Sequence, residues 1–249
     1  TGDSAFVDLV HLIQLEVTRD PANGMKPADI SFTAPLDNKS IVPSSADGTL
    51  YVRDMFNLYK YENFLYTMEL TGAQIDKFLE SSYAGWIDTM DSPDDSLINF
   101  LKDASGKPVY NERYKSYDTK IRPYNYDSAA GIKYTVDVTK PAGDRVSILS
   151  MDDGSAFVLD KVYTVAINSY RASGGGGHLA ATGLTPAEIL SMAKVTSATT
   201  KDLRFYMLKW FEGKTGVVKV GTDNNWKFIP EDLAAAGAQV SLPMMYPAK

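Results

Sequence analysis

The feature that most constrains the fold is a segment near the start of the chain, residues 4–19, in which apolar side chains recur around most of a helix. Its apolar positions are Phe6, Val7, Leu9, Val10, Leu12, Ile13, Leu15 and Val17. This spacing predicts an α-helix, with Asp3 or Ser4 as its N-cap. A helix that is apolar on most sides must be covered by other elements. We therefore predict a layered domain in which this helix is well buried.

The remaining chain mixes strand and helix patterns without strict alternation. We predict strands at 28–33, 64–70, 131–138, 145–151 and 161–169, and helices within 48–59, after Thr71, after Thr185 and at about 200–212. Thr71 with Gln74, and Thr185 with Glu188, form capping boxes that start two of the helices. Residues 84–118 show little periodicity and predict a long irregular insertion, a candidate for a mobile loop. The predicted fold class is α+β (mixed α/β), a mixed sheet with packed helices in one domain over 1–249.

Composition excludes several classes of function. The net charge of −6 argues against binding to a nucleic acid polymer, and no apolar run approaches the length that spans a membrane. Cysteine is absent, which excludes disulfides and thiol catalysis. The two histidines, His11 and His178, lie far apart and in no metal-binding motif, so we predict no metal site and no cofactor in this chain. The chain does not start like a signal peptide, and we expect it to be part of a longer protein.

The most conspicuous functional candidate is the segment Asn168–His178. It leaves a strong strand and runs through Tyr170 and Arg171 into four consecutive glycines. Consecutive glycines allow positive φ angles and close approach of the backbone to a ligand. The alternative is a flexible turn with an exposed tyrosine. The segment is not a P-loop, because no Gly-Lys-Ser/Thr follows it.

Two further aromatic segments have a functional and a packing interpretation. Tyr61 and Asn63 lie between a predicted helix and a predicted strand, and residues 124–127 (Tyr-Asn-Tyr-Asp) precede Gly131. Their aromatic rings could equally pack in the interior, with the polar side chains bonding turns. His11 is expected as a core or interface residue, and His178 as a ligand contact or a hydrogen-bonded loop residue. No catalytic nucleophile is recognisable, so these residues alone indicate no enzyme and we predict no catalytic residue.

Several motifs, in order and spacing, resemble the C-terminal domain of the 5′-nucleotidase family over about residues 3–230. They are Asp3–Leu9, Ala28–Leu36, Tyr61–Asn63, Leu70–Gly72, Asp127 with Gly131–Tyr134, and Asn168–Gly176. Within the family, the Tyr-Arg-Ala-Ser-Gly-Gly-Gly run resembles the 2′,3′-cyclic-nucleotide 2′-phosphodiesterase/3′-nucleotidase branch. Thr33–Leu36 replaces the Asn-Gly-Gly-Gly-x-Arg stretch of 5′-nucleotidases, and Gly176 replaces an Asp. These two departures put contacts of the 5′-nucleotidase type in doubt.

The resemblance implies a division of labour between two domains. An N-terminal metallophosphoesterase domain, outside this chain, would hold two divalent metals, and this domain would clamp a nucleobase between Tyr61 and Tyr170. The substrate-binding residues implied are Tyr61, Tyr170, Asn63, Arg171, Ser173, Gly174, Gly175 and Gly176. The implied partners are a nucleoside or nucleotide and the N-terminal domain of the same polypeptide, and the implied location is periplasmic, secreted or cell-surface. This chain alone is then expected to be inactive.

Two stacking faces contribute roughly 2–6 kcal/mol at about 1–3 kcal/mol each, so binding by this domain alone is expected in the high-micromolar to millimolar range. Two alternatives stay open from the sequence. One is a carbohydrate-binding or adhesive module, because the 15 tyrosines and 3 tryptophans could also stack on sugars. The other is a domain that only supports its partner structurally, which predicts that Tyr61 and Tyr170 pack inward with no cleft between them.

Overall fold

The structure, a computed structural model, describes residues 2–36 and 45–247. Its helices are α1 (Ala5–Arg19), α2 (Asp54–Leu58), α3 (Gly72–Trp86), α4 (Ser169–Ala172), α5 (His178–Ala181), α6 (Pro186–Leu190), α7 (Leu203–Glu212) and α8 (Glu231–Met245). Its strands are β1 (Ile30–Thr33), β2 (Phe64–Thr71), β3 (Tyr110–Asn111), β4 (Ser116–Tyr117), β5 (Ser128–Ala130), β6 (Ile132–Asp137), β7 (Val146–Met151), β8 (Val162–Asn168), β9 (Val195–Asp202) and β10 (Trp226–Ile229). None of these helices is long and apolar enough to cross a lipid bilayer.

The strands form a five-stranded mixed sheet and two smaller sheets. The main sheet has the order β5-β1-β8-β2-β9, in which β1 and β8 are parallel and the other neighbours antiparallel. A three-stranded sheet has the order β10-β6-β7, and β3 pairs with β4 in a short hairpin. The combination of mixed sheets and helices confirms the predicted α+β class.

Both faces of the main sheet are covered. On β8, Val165 and Ile167 belong to one hydrophobic cluster and Ala166 belongs to the other, as expected when side chains alternate across a strand. The first cluster contains α3, whose Phe78 ring stacks on Phe32 of β1 with centroids 4.1 Å apart. The second contains the buried side of α1 and part of α7. The sheet therefore lies between α3 and α1, which is why its central strands are apolar on both sides.

The predicted helix at 4–19 is confirmed as α1, and most of its residues are buried. The predicted strands correspond to β1, β2, β6, β7 and β8. Both capping boxes are present: the Gln74 amide donates to Thr71 Oγ1 over 3.2 Å, and the Glu188 amide donates to Thr185 Oγ1 over 3.3 Å. These elements were predictable because their signals are local in the sequence.

Two predicted helices have different bounds in the structure, and eight elements were missed. The helix expected within 48–59 is limited to Asp54–Leu58, and residues 200–202 belong to β9 rather than to α7. Residues 84–118 are mostly irregular, as predicted, apart from the end of α3 and the hairpin of β3 and β4, and they are not a loose loop. Leu97, Ile98 and Phe100 are buried in the core cluster that contains α3. The missed elements have short, polar or alanine-rich sequences that carry little periodicity: β3, β4, β5, β9, β10, α4, α5 and α8.

His11 is a core residue, as predicted from its position on α1. Its Nδ1 lies 2.9 Å from Ser31 Oγ and its Nε2 lies 3.1 Å from Ser128 Oγ, so it links α1 to β1 and β5. Complete burial lowers the pKa of His11 to about 3. The unfolded chain therefore binds a proton at this histidine at a higher pH than the folded chain does.

We predict that His11 destabilises the fold as the pH falls from about 6.5, the ordinary pKa of histidine, towards its folded pKa of about 3. In urea unfolding at pH 7.5 and pH 5, the wild-type chain should lose more stability between the two pH values than His11→Gln, which can hydrogen-bond but cannot titrate. An equal loss in both proteins would contradict the buried, neutral histidine.

Candidate functional site

The pairing of β2 with β8 brings together two segments that are far apart in the sequence. The strands are antiparallel and Leu65 is paired with Asn168, so the start of β2 lies beside the end of β8. Tyr61 lies four residues before Leu65, and Tyr170 lies two residues after Asn168. The Phe64 amide also donates to Ser169 Oγ over 3.1 Å, which ties the two segments directly. Strand register therefore places both tyrosines at one edge of the sheet.

Tyr61 and Tyr170 line the same cleft, which has a volume of about 240 Å³. Among residues 2–36 and 45–247, the cleft is lined by Leu36, Tyr61, Asn63, Tyr124, Asn168 and Tyr170. Tyr170 is 44% exposed, and Tyr61 is half-buried with the Tyr124 ring edge-on to it at 6.1 Å between centroids. The inward-packed arrangement expected of a purely supporting domain is therefore wrong for these two residues.

The Tyr170 ring rests on the glycine loop. A Cβ atom built on Gly175 would lie only 2.5–2.6 Å from three atoms of the ring, so the ring lies directly against the Gly175 backbone. Position 175 therefore has to be glycine for the ring to sit where it does. Gly174 has a φ of +92°, in the left-handed region, and begins the turn that brings Gly175 under the ring. The loop thus forms a platform for Tyr170.

Arg171 braces this platform from inside the protein. Its side chain is 1% exposed, and its Nη2 lies 2.6 Å from Asp127 Oδ2. The guanidinium also donates from Nη1 to the Gly175 carbonyl over 2.7 Å and from Nη2 to the Tyr124 carbonyl over 2.9 Å. Arg171 therefore joins the backbone beneath Tyr170 to the backbone of Tyr124, on the other side of the cleft. A buried charge with several partners of this kind is costly to disturb.

The predicted site residues fall into two groups. Tyr61, Asn63 and Tyr170 line the cleft. The other five predicted residues, Arg171, Ser173, Gly174, Gly175 and Gly176, are not part of its lining.

The direct-contact role predicted for Arg171 is therefore corrected to a supporting one, because its guanidinium is buried. Ser173 is exposed and donates from Oγ to the Tyr170 carbonyl over 3.0 Å, closing α4. The amides of Gly174 and Gly177 donate within the loop, so they are not available to a ligand.

Three lining residues were not predicted as ligand contacts. Tyr124 was expected to pack, Asn168 was noted only as the start of the glycine segment, and Leu36 only as part of the stretch after β1. Asn168 Oδ1 accepts from the Arg171 amide over 2.9 Å and so caps α4, the short helix that carries Tyr170. Only the three-dimensional fold, not local sequence, reveals that Tyr124 reaches this cleft.

The loop that carries Tyr61 is fixed by α7. Arg204 Nη1 donates to the Lys60 carbonyl over 3.1 Å, and its Nη2 lies 3.1 Å from Glu62 Oε1. The Leu203 amide donates to the Asn63 carbonyl over 2.8 Å. Both sides of the cleft are therefore held by hydrogen bonds from neighbouring elements, and neither tyrosine depends on its own loop alone.

His178 lies behind the platform and is buried. Its ring packs on Phe78 with centroids 5.0 Å apart, and its Nε2 lies 3.5 Å from Asp127 Oδ2. Burial lowers the pKa of His178 and outweighs the opposing effect of Asp127. The sequence predicted His178 as either a ligand contact or a hydrogen-bonded loop residue. The structure places it in the interior of the loop and not in the lining of the cleft.

Comparison with known proteins identifies the family. The model of the 5′-nucleotidase C-terminal domain matches residues 1–183. The chain belongs to this family. It is 29% identical over 197 residues to the trifunctional nucleotide phosphoesterase YfkN of Bacillus subtilis, covering 74% of this chain and 11% of that protein. It is 26% identical over 200 residues to the 2′,3′-cyclic-nucleotide 2′-phosphodiesterase/3′-nucleotidase of Salmonella typhimurium, covering 74% of this chain and 26% of that protein.

Solved structures agree with this assignment at the level of the fold. A putative 5′-nucleotidase from Staphylococcus aureus matches with a TM-score of 0.61 at 21% identity, covering 90% of this chain and 36% of that one. A 5′-nucleotidase precursor from Thermus thermophilus matches with a TM-score of 0.62 at 20% identity, covering 92% and 36%. The predicted family and the nucleotidase C-terminal fold are thus confirmed, and a relative that carries the cyclic-nucleotide phosphodiesterase name is similar to this chain at 26% identity. The chain spans only 11–26% of these two sequence relatives, which are nucleotide hydrolases of greater length.

The two histidines of this nucleotidase C-terminal domain lie apart in the protein interior. His11 is hydrogen-bonded to two serines on one side of the main sheet. His178 packs on Phe78 of α3, on the other side. Within 2–36 and 45–247, the carboxylates of Asp3, Asp8 and Asp223 do approach one another within 4.8 Å. That group contains no imidazole and shares no residue with the cleft of Tyr61 and Tyr170.

Two neighbouring glycines provide a matched test of the platform. Gly176 and Gly177 have φ of +77° and +80°, so alanine is strained equally at both. A Cβ on Gly176 would lie 2.0 Å from Arg171 Nη1, whereas a Cβ on Gly177 meets nothing within 4 Å. We predict that Gly177→Ala costs about 1 kcal/mol and Gly176→Ala about 3 kcal/mol or more, because the latter displaces the buried ion pair. Urea unfolding measures both, and equal costs would contradict the bracing role of Arg171.

Proposed function

We propose that this chain is the nucleoside-binding domain of a nucleotide-hydrolysing metallophosphoesterase of the 2′,3′-cyclic-nucleotide 2′-phosphodiesterase/3′-nucleotidase type. The observation that carries the proposal is the convergence of Tyr61 and Tyr170 on one cleft, in a chain of this family. Two aromatic faces suit any nucleobase, because every base presents a flat π-surface. The base would stack between these rings and leave the phosphate to be processed outside the domain.

The remaining lining residues would orient the base. Asn63 and Asn168 carry the amide groups of the lining, which can donate to or accept from the polar edge of a base. Leu36 and the edge-on Tyr124 ring supply apolar surface. Arg171 acts indirectly, by holding the backbone on both sides of the cleft in place.

The metal chemistry is proposed to lie in another part of the longer protein. The described residues do not fit a two-metal centre, because such a centre needs clustered imidazoles and carboxylates, and both histidines are engaged separately in the interior. We therefore assign two divalent metals to an N-terminal metallophosphoesterase domain and none to the cleft. The proposed location is the periplasm, the secreted medium or the cell surface, and it rests on the family resemblance alone.

Calorimetric titration of the purified chain with adenosine and 3′-AMP tests the stacking. We predict dissociation constants in the high-micromolar to millimolar range, as two stacking faces supply roughly 2–6 kcal/mol. Tyr61→Ala and Tyr170→Ala should each weaken binding roughly 5- to 150-fold, the effect of about 1–3 kcal/mol.

Tyr114→Ala is the matched control, because Tyr114 is a comparably exposed tyrosine outside the cleft lining. Unchanged binding in both cleft variants would refute the stacking model. Methyl β-ribofuranoside, which has no base, separates the carbohydrate-binding alternative: binding of the bare sugar as strong as that of adenosine would favour it.

A second prediction concerns catalysis. Because the described residues provide no two-metal centre, the purified chain supplied with Mn²⁺, Co²⁺ or Zn²⁺ should not hydrolyse 2′,3′-cyclic AMP or 3′-AMP above the rate with metal alone. Turnover that follows the protein through purification would show that the chemistry does not lie in another domain.

A further inference from the structure

A second cavity, of about 190 Å³, lies between the start of α1 and the end of α8 and has no lining residue in common with the cleft. Four aromatic side chains contribute to its wall: Trp86, Tyr126, Trp226 and Tyr246. The Trp86 and Tyr126 rings are stacked, with centroids 5.1 Å apart and planes 12° from parallel. Tyr246 is 45% exposed and lies at the rim. Aromatic side chains from four separate segments of the chain therefore contribute to the cavity wall.

The charge around this cavity is negative. Asp3 is part of the lining, and none of the lysines and arginines that the structure describes is. The carboxylates of Asp8 and Asp223 lie within 4.8 Å of the Asp3 carboxylate. Asp3 Oδ2 accepts from the Asn224 amide over 2.9 Å, and Asp8 Oδ2 accepts from the Asp223 amide over 3.1 Å, so the carboxylates are held in place.

The described residues provide no cationic partner for these carboxylates. In the part of the chain that the structure describes, no lysine or arginine forms an ion pair with Asp3, Asp8 or Asp223. Burial and the nearby Asp3 carboxylate raise the pKa of Asp8 to about 7. Three crowded carboxylates without a counter-charge are unfavourable, and an added positive charge would relieve the repulsion.

One polar group of the cavity wall is also unpartnered. Among the described residues, Trp86 Nε1 has no hydrogen-bond partner, although its side chain is more than nine-tenths buried. Buried polar atoms are nearly always paired, and an exception calls for an explanation such as a bound water or ligand. This observation is independent of the acidic cluster and concerns the same wall.

We propose that this cavity binds a small organic cation of the substituted-ammonium class. Aromatic faces attract a cation through their π-electrons, and an adjacent carboxylate supplies the opposite charge. A bare metal ion would use the carboxylates but would gain little from two tryptophans and two tyrosines. A neutral apolar molecule would use the rings but not the charge. The combination of both surfaces in one cavity fits an alkylammonium group.

Tryptophan fluorescence reports directly on ligand binding in this cavity. The chain has three, and the third, Trp210, lies outside the cavity lining on α7. In a Trp210→Phe background, all tryptophan emission comes from the two cavity residues. Choline, titrated to about 10 mM, should change this emission in a saturable manner. Its neutral isostere 3,3-dimethylbutan-1-ol should bind roughly tenfold more weakly, since it lacks the charge that interacts with the rings and with Asp3.

Two variants assign the binding to this cavity. Asp3→Asn should weaken choline binding roughly tenfold, and Tyr246→Leu, at the exposed rim, should weaken it several-fold without disturbing the core. Tyr170→Leu, in the other cleft, should leave it unchanged. Equal binding of choline and the neutral isostere, binding of Ca²⁺ or Mn²⁺ without choline, or the absence of saturable binding would each overturn the proposal. These outcomes do not depend on whether the chain binds nucleosides.

Discussion

The antiparallel pairing of β2 with β8 is the interaction on which the cleft depends. It places Asn168, the last residue of β8, beside Leu65, the second residue of β2, and so brings Tyr170 to Tyr61. A slip of one residue in this register would turn the apolar side chains of the displaced strand to the wrong face of the sheet. Because both faces of the sheet are covered, by α1 and by α3, such a slip would bury polar groups and is strongly disfavoured. The packing of the core therefore also fixes the geometry of the site.

The glycine loop serves packing more than direct ligand contact. Gly175 allows the Tyr170 ring to lie on the backbone, and Gly176 leaves room for the Arg171 guanidinium. Arg171 and Asp127 form a buried ion pair, which is stabilising only if its geometry is good and its other donors are satisfied. The carbonyls of Gly175 and Tyr124 satisfy two of those donors and lie on opposite sides of the cleft. The pair thus couples the stability of the loop to the position of the aromatic ring.

Local signals in the sequence predicted much of the fold. The apolar periodicity of α1 and the capping boxes at Thr71 and Thr185 act within a few residues, and the structure confirms them. The short strand β5 and the polar edge strand β9 were missed, since their stability comes from pairing with distant strands rather than from their own sequences. For the cleft, sequence indicated Tyr61, Asn63 and Tyr170 but misassigned Arg171. A guanidinium beside a glycine run looks exposed until the distant Asp127 is known to be its partner.

We propose that one base contacts both tyrosine rings at once. NMR tests this contact on the chain with ring-labelled tyrosine, mixed with adenosine, with intermolecular nuclear Overhauser effects assigned through Tyr61→Phe and Tyr170→Phe. We predict that the adenine H2 and H8 protons show effects to the rings of both Tyr61 and Tyr170. Effects to only one of these rings, or to neither while adenosine is bound, would contradict it.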